Sequence, residues 1–137
     1  MSTFVLVHGA WHEDSAWNEV IKQLEAKGHQ AFAPMIAGHG KGVNKNVNHA
    51  QCTQSIVDYI VDKDLTDIVL LGHSFGGTII AKVEAISNCI RRLIFLDAFV
   101  LNDGESLRDS LPPHYQALCD SLARESDNRT LVMPNVF

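Results

Sequence analysis

Basic residues are in short supply. Eleven Lys and Arg stand against sixteen Asp and Glu, a formal net charge of −5. No basic cluster offsets the deficit, so neither nucleic acid nor an anionic membrane is an expected partner. Cysteine is sparse too: Cys52, Cys89 and Cys119 are odd in number, widely spaced and include no C-x-x-C pair. That excludes a disulfide framework and reads as reduced, packing cysteine in a cytosolic setting. No apolar run approaches the length of a transmembrane helix. Met1 to Val7 lacks a basic leader region, and its apolar run is too short for a signal peptide. A cytoplasmic location is therefore expected, in which the sequon Asn128-Arg129-Thr130 is inert. The remainder is ordinary for a globular chain: 46% of 137 residues are hydrophobic and 20% charged. A chain of this size fits one domain and buries roughly two-thirds of its unfolded surface.

One stretch organises the rest. Ile68-Val69-Leu70-Leu71 is a short β-favouring run that meets Gly72-His73-Ser74-Phe75-Gly76-Gly77, and an apolar run with helical spacing follows. This is G-x-S-x-G between a strand and a helix, the context that motif requires. The turn must lift the Ser74 hydroxyl clear of a sheet, so its backbone is expected to be bent and strained. Side chains at 72 and 76 would collide with that bend, a steric reason for glycine at both.

Along the chain, Phe4-Val5-Leu6-Val7 reads as a strand covered on both faces, ending in the loop His8-Gly9-Ala10-Trp11-His12. Asp14 or Ser15 is positioned to cap a helix carrying Trp17, Val20, Ile21 and Leu24 on one face, closed by Gly28. Gln30 to Ala33 reads as a weaker strand stopped by Pro34. Residues 37–48, rich in Gly and Asn, read as a polar loop. A helix from about His49 presents Cys52, Ile56, Tyr59, Ile60 and Lys63 on one side. A buried helix over Phe75–Ser87 follows Ser74, and Leu93 to Leu96 forms a fourth strand ending at Asp97. Strands alternating with helices imply a parallel sheet of about four strands with flanking helices. After Asp97 the pattern changes to a turn at 103–106, a short helix over Tyr115–Ala123 and an extended scrap at 131–133. We therefore divide the chain at residues 1–102 and 103–137.

Acyl transfer needs a nucleophile, a base, a group that orients the base, and donors for the oxyanion. Ser74 is the candidate nucleophile. The backbone N–H groups of Phe75 and Ala10 are the candidate donors, from the helix start and the loop after the first strand. The base is the difficulty, because none of the seven histidines occupies a loop after a late strand. His8 and His73 read as residues that hold backbone, and His12 as a pocket wall. Asp97, at a strand end, is a candidate acid, although a capping aspartate is the commoner use of that position. Rival motifs fail. His12-Glu13 lacks the second histidine of H-E-x-x-H, since Ala16 stands there, and no other metal or cofactor motif is present.

These residues resemble the α/β-hydrolase superfamily, in particular its small plant and bacterial branch of methyl-ester esterases and hydroxynitrile lyases with related bacterial pesticide-type esterases. Phe4 to His12, Gly72 to Gly77 and Leu93-Ile94-Phe95-Leu96-Asp97-Ala98-Phe99 carry the likeness. The resemblance implies Ser74 as nucleophile, Ala10 and Phe75 as oxyanion donors, and Trp11, His12 and Phe75 as substrate neighbours. It also implies a small carboxylic ester as substrate and no cofactor. The lyases of that group carry threonine where this chain has Gly9, which favours an esterase. In the family the acid and histidine follow the cap, whereas this sequence stops in what resembles the start of a cap, an amino-terminal half. Its fourth strand would then be a bare apolar edge. The expected cover is a second copy, a complementary carboxyl-terminal chain, or the tail folding back.

Overall fold

The computed structural model describes residues 1–125. They fall into two compact units, residues 1–100 and the part of the chain from Leu101 onward. Within the first, four strands form one parallel sheet in the order β2-β1-β3-β4. These are β1 (Thr3–Val7), β2 (Gln30–Phe32), β3 (Ile68–Ser74) and β4 (Ile90–Ala98). Helices α1 (Asn18–Ala26), α2 (His49–Asp62) and α3 (Phe75–Ile80) flank it. The fold is the expected α/β layering of a parallel sheet.

The core explains the order of the strands. Val5, Val7, Ile68 and Leu70 are fully buried and pack with Ile36, Ile56, Ile60, Ile79 and Ile80 in one cluster. Continuous apolar runs of this kind belong to interior parallel strands, and β1 and β3 occupy the two central places. α2 is bounded as a helix should be. Asn48 caps it, its side chain accepting the Gln51 N–H while Gln51 returns a bond to the Asn48 N–H. At its other end Asp64 takes φ 51°, and Leu65 N–H reaches the Ile60 carbonyl at 3.0 Å. α1 ends the same way at Gly28, φ 80°.

Four expectations need correction. The helix after Ser74 does not run to Ser87: α3 stops at Ile80, and a 3-10 turn over Glu84–Cys89 with a kink at Ile86 replaces the rest. Nothing in the structure explains the break, since residues 81–87 contain neither glycine nor proline. The first helix begins later than Asp14. Asp14–Trp17 is a 3-10 turn without a side-chain cap, α1 starts at Asn18, and Val20 is 41% exposed rather than core. β3 and β4 are longer than their apolar runs, because backbone pairing continues past the buried residues to Ser74 and Ala98. β2, conversely, ends one residue early, at Phe32.

β4 pairs with β3 in a ladder irregular at both ends. Ile68 and Val69 face Ile90 and Arg92, and His73 and Ser74 face Leu96 and Ala98, so Arg91 and Asp97 are the extra, bulged residues. The second unit contains a 3-10 turn at Arg108–Ser110 and α4 (Pro113–Glu125), longer at both ends than the expected span. The Arg108 guanidinium binds the Asp120 carboxylate at 2.7 and 2.9 Å, tying the two together on the surface. The extended scrap at 131–133 and the sequon lie outside the described residues.

Candidate active site

Ser74 sits where β3 hands over to α3, with φ 52° and ψ −119°. A non-glycine residue held there stores strain, of order 1–3 kcal/mol. The two motif glycines are required by packing. A Cβ on Gly72 would lie 2.6 Å from the Gly76 carbonyl oxygen, and one on Gly76 would lie 2.7 Å from the carbonyl oxygens of both Val7 and His8. Removing both side chains lets the start of α3 press against the ends of β3 and β1. The bend is anchored on its other side by Phe99, whose N–H donates to the Ser74 carbonyl at 3.2 Å.

The loop after β1 lies directly on the serine. A Cβ on Gly9 would be 3.1 Å from the Ser74 Cβ and 3.2 Å from His73 Nδ1, so a larger residue would push on the serine itself. Ala10 follows. Among the described residues no backbone acceptor takes its N–H. The Phe75 N–H lies in the first turn of α3, where a helix offers no internal partner.

His8 locks that loop. It is 1% exposed; its Nδ1–H donates to the Gly9 carbonyl at 2.8 Å and its Nε2 accepts the Ile36 N–H at 3.1 Å. Those partners assign the neutral ring. Burial lowers its pKa to about 4, outweighing the Gly9 carbonyl, which favours the charged form. His12 donates Nδ1–H to the Ala10 carbonyl at 3.0 Å and so shapes the same loop. On the other side of the elbow, the Thr78 hydroxyl donates to the Phe75 carbonyl at 2.8 Å and accepts His49 Nε2–H at 3.0 Å. The Phe75 ring is stacked on His39 at 6.0 Å and meets His49 edge-on at 5.9 Å. Burial lowers the pKa of both of these histidines. His49 thus has its ring committed to the elbow.

A cavity of about 240 Å³ is walled by His8, Gly9, His12, Ala16, Trp17, His73 and Leu96; Ser74 itself is not part of the wall. His12 is there as expected. Ala16, Trp17 and Leu96 join it from two elements, the Asp14–Trp17 turn and β4, that only the folded sheet brings together. Trp11 has φ 63°, is 45% exposed and is not part of this wall. Asp97, the bulged residue before the last of β4, has φ 43° and is exposed, and its side chain makes no hydrogen bond or ion pair among the described residues. No histidine of the described residues is hydrogen-bonded to Ser74. Nor, among them, do three or more His, Cys, Asp or Glu side chains converge as a metal site requires.

Comparison with known proteins places this geometry. The profile of the alpha/beta hydrolase family matches residues 4–135. The chain belongs to the alpha/beta hydrolase family. Among curated relatives, the carbendazim hydrolyzing esterase of Nocardioides sp. (strain SG-4G) is 37% identical over 116 residues, covering 82% of this chain and 48% of the relative. Methylesterase 1 of Arabidopsis thaliana is 34% identical over 104 residues, covering 71% and 39%. Among solved structures, an extracellular alpha/beta-hydrolase from a Paenibacillus species, described as homologous in structure and function to tobacco salicylic acid binding protein 2, superposes with a TM-score of 0.93. It is 43% identical, over 98% of this chain and 56% of its own. The chain thus spans about half the length of the relatives it matches. Among its described residues no helix is long and apolar enough to cross a membrane.

Proposed function

We propose that this hydrolase is of the esterase type, cleaving a small, largely apolar carboxylic ester through an acyl intermediate on Ser74. The observation that carries the reading is the strained Ser74 at φ 52°, with the Gly9 backbone packed on its side chain. In this reading the hydroxyl attacks the ester and the amides of Ala10 and Phe75 are the donors that stabilise the tetrahedral oxyanion. Trp11 and His12 are our candidates for substrate neighbours and Asp97 for the acid. The esterase names of the relatives support the reaction class. Residues 103–137 we read as the beginning of a cap, and the three free cysteines fit a reduced, cytoplasmic compartment.

Among the described residues the base for Ser74 is not in place. His8, His12, His39 and His49 each spend a ring nitrogen on the chain itself. None of the described histidines is hydrogen-bonded to Ser74, so in this reading full activity requires a histidine supplied from elsewhere. The same observation favours a second reading, a catalytically inactive homologue that keeps the site for small-molecule binding or regulation. Turnover alone does not separate the two, since a serine site stripped of a triad member still outpaces water. A fluorophosphonate does. Prompt labelling that disappears in Ser74→Ala supports the esterase, and no labelling above that variant's background supports the binding protein.

A further inference from the structure

α3 is ill-equipped to hold its own first residue. It has six residues, includes Gly76 and Gly77, and takes no side-chain cap from Ser74. Glycine is among the weakest helix formers, and so short a helix has little stability of its own. Yet its first residue, Phe75, carries one of the amides that the esterase reading assigns to the oxyanion.

What steadies Phe75 reaches it from another element. The Thr78 hydroxyl, 5% exposed, donates to the Phe75 carbonyl at 2.8 Å. A hydroxyl has one proton. With that proton committed, the Thr78 oxygen faces His49 as an acceptor, and His49 carries its own proton on Nε2, 3.0 Å away. A hydroxyl that accepts one hydrogen bond donates a stronger one, so His49 tightens the hold on the Phe75 carbonyl. Burial, and the charge of Lys82, hold the His49 pKa down, so the ring donates as a neutral group. The same ring meets the Phe75 ring edge-on, while His39 stacks on it. His49 is itself the first residue of α2, behind the Asn48–Gln51 capping box. A well-anchored helix end is thereby linked, through one hydroxyl, to the residue after the nucleophile.

We propose that His49 is a positioning residue of this site: acting through Thr78, it holds Phe75 so that the Phe75 amide meets the forming oxyanion. The chemistry of this proposal rests on the esterase reading. His49 does not serve as the base, because its Nε2–H is spent on Thr78.

The test separates position from stability. Thr78→Val removes the hydroxyl at nearly constant volume, and His49→Phe removes the donor but keeps an aromatic ring beside Phe75. Losing an oxyanion donor outright costs on the order of 100-fold or more, so a loosened donor should slow fluorophosphonate labelling of Ser74 about tenfold. Thr78→Ser and His49→Gln retain the hydroxyl and an N–H donor, and should label within about twofold of the unsubstituted rate. The double variant of Thr78→Val and His49→Phe should be no slower than the slower single one, since both remove the same link. Ile56→Val, in the core, should label normally despite a lower thermal midpoint. An equal loss in Ile56→Val, or none in His49→Phe, overturns the proposal.

A second measurement needs no reactive serine. The order parameter of the Phe75 amide, from 15N relaxation, should be near the rigid value of about 0.85 in the unsubstituted chain. It should fall in Thr78→Val and His49→Phe and return in Thr78→Ser. If the unsubstituted chain is not labelled at all, the esterase reading falls, and this measurement decides whether His49 holds Phe75. An order parameter unchanged by both substitutions overturns the proposal. Should Thr78→Val fail to fold, His49→Phe decides by itself.

Discussion

His8 should make this chain acid-labile in a measurable way. Its pKa falls from 6.5 to about 4 because the ring is buried and its nitrogens are occupied as a neutral group. In the unfolded chain the ring titrates normally. Between those values the unfolded state therefore binds more protons, and stability rises with pH. The contribution is fully present above about pH 6.5, is lost as pH falls toward 4, and is flat below. With 1.36 kcal/mol per pKa unit, the whole effect is about 3 kcal/mol. His39 and His49 are lowered in the same direction, so the total slope of the wild-type chain is not the test. The informative quantity is the difference from His8→Gln, which retains an acceptor for the Ile36 N–H but does not titrate. Urea unfolding followed by circular dichroism at several pH values from about 4 to 7.5 should give a shallower pH dependence for the variant. The gap between the two stability curves should change by about 3 kcal/mol across that range. Parallel curves would refute the reasoning, because they would mean that His8 titrates alike in both states.

Two substitutions probe the elbow itself. Gly76→Ala forces a methyl to within 2.7 Å of two backbone carbonyl oxygens that cannot swing aside. We expect a loss of about 3 kcal/mol, and a thermal midpoint lower by about 10 °C, read by scanning calorimetry. Ser74→Gly releases the positive-φ strain, so the variant should be more stable than the wild type by about 1 kcal/mol while losing all fluorophosphonate labelling. A destabilised Ser74→Gly would mean that the backbone at 74 is not strained.

Much of this was legible in the sequence because it depends on local pattern. Gly-x-Ser-x-Gly after Ile68–Leu71 forces the bend, and the apolar runs at 4–7 and 68–71 mark central strands. The start of α2 at His49 was visible from its apolar face, although the Asn48–Gln51 box that fixes it is a side-chain arrangement. What was not legible depends on partners far along the chain. The end of α3 at Ile80 leaves no mark in a run that is apolar nearly all round. The two bulges in β4 are properties of the β3–β4 ladder, not of β4's own residues. Trp17 and Leu96 meet at the cavity only because α1's entry turn and β4 flank the same end of the sheet. The commitments of His8 and His49 to Ile36 and Thr78 span 28 and 29 residues, beyond any motif.

The central claim is that the Ser74 hydroxyl faces a pair of amide donors. It is tested most directly by the crystal structure of the chain after reaction with a small alkyl phosphonate. The account predicts a covalent adduct on Ser74 Oγ. Its phosphoryl oxygen should lie about 2.7–3.1 Å from the backbone nitrogens of both Ala10 and Phe75. An adduct whose oxygen turns to solvent, with either amide directed away from it, would contradict the account.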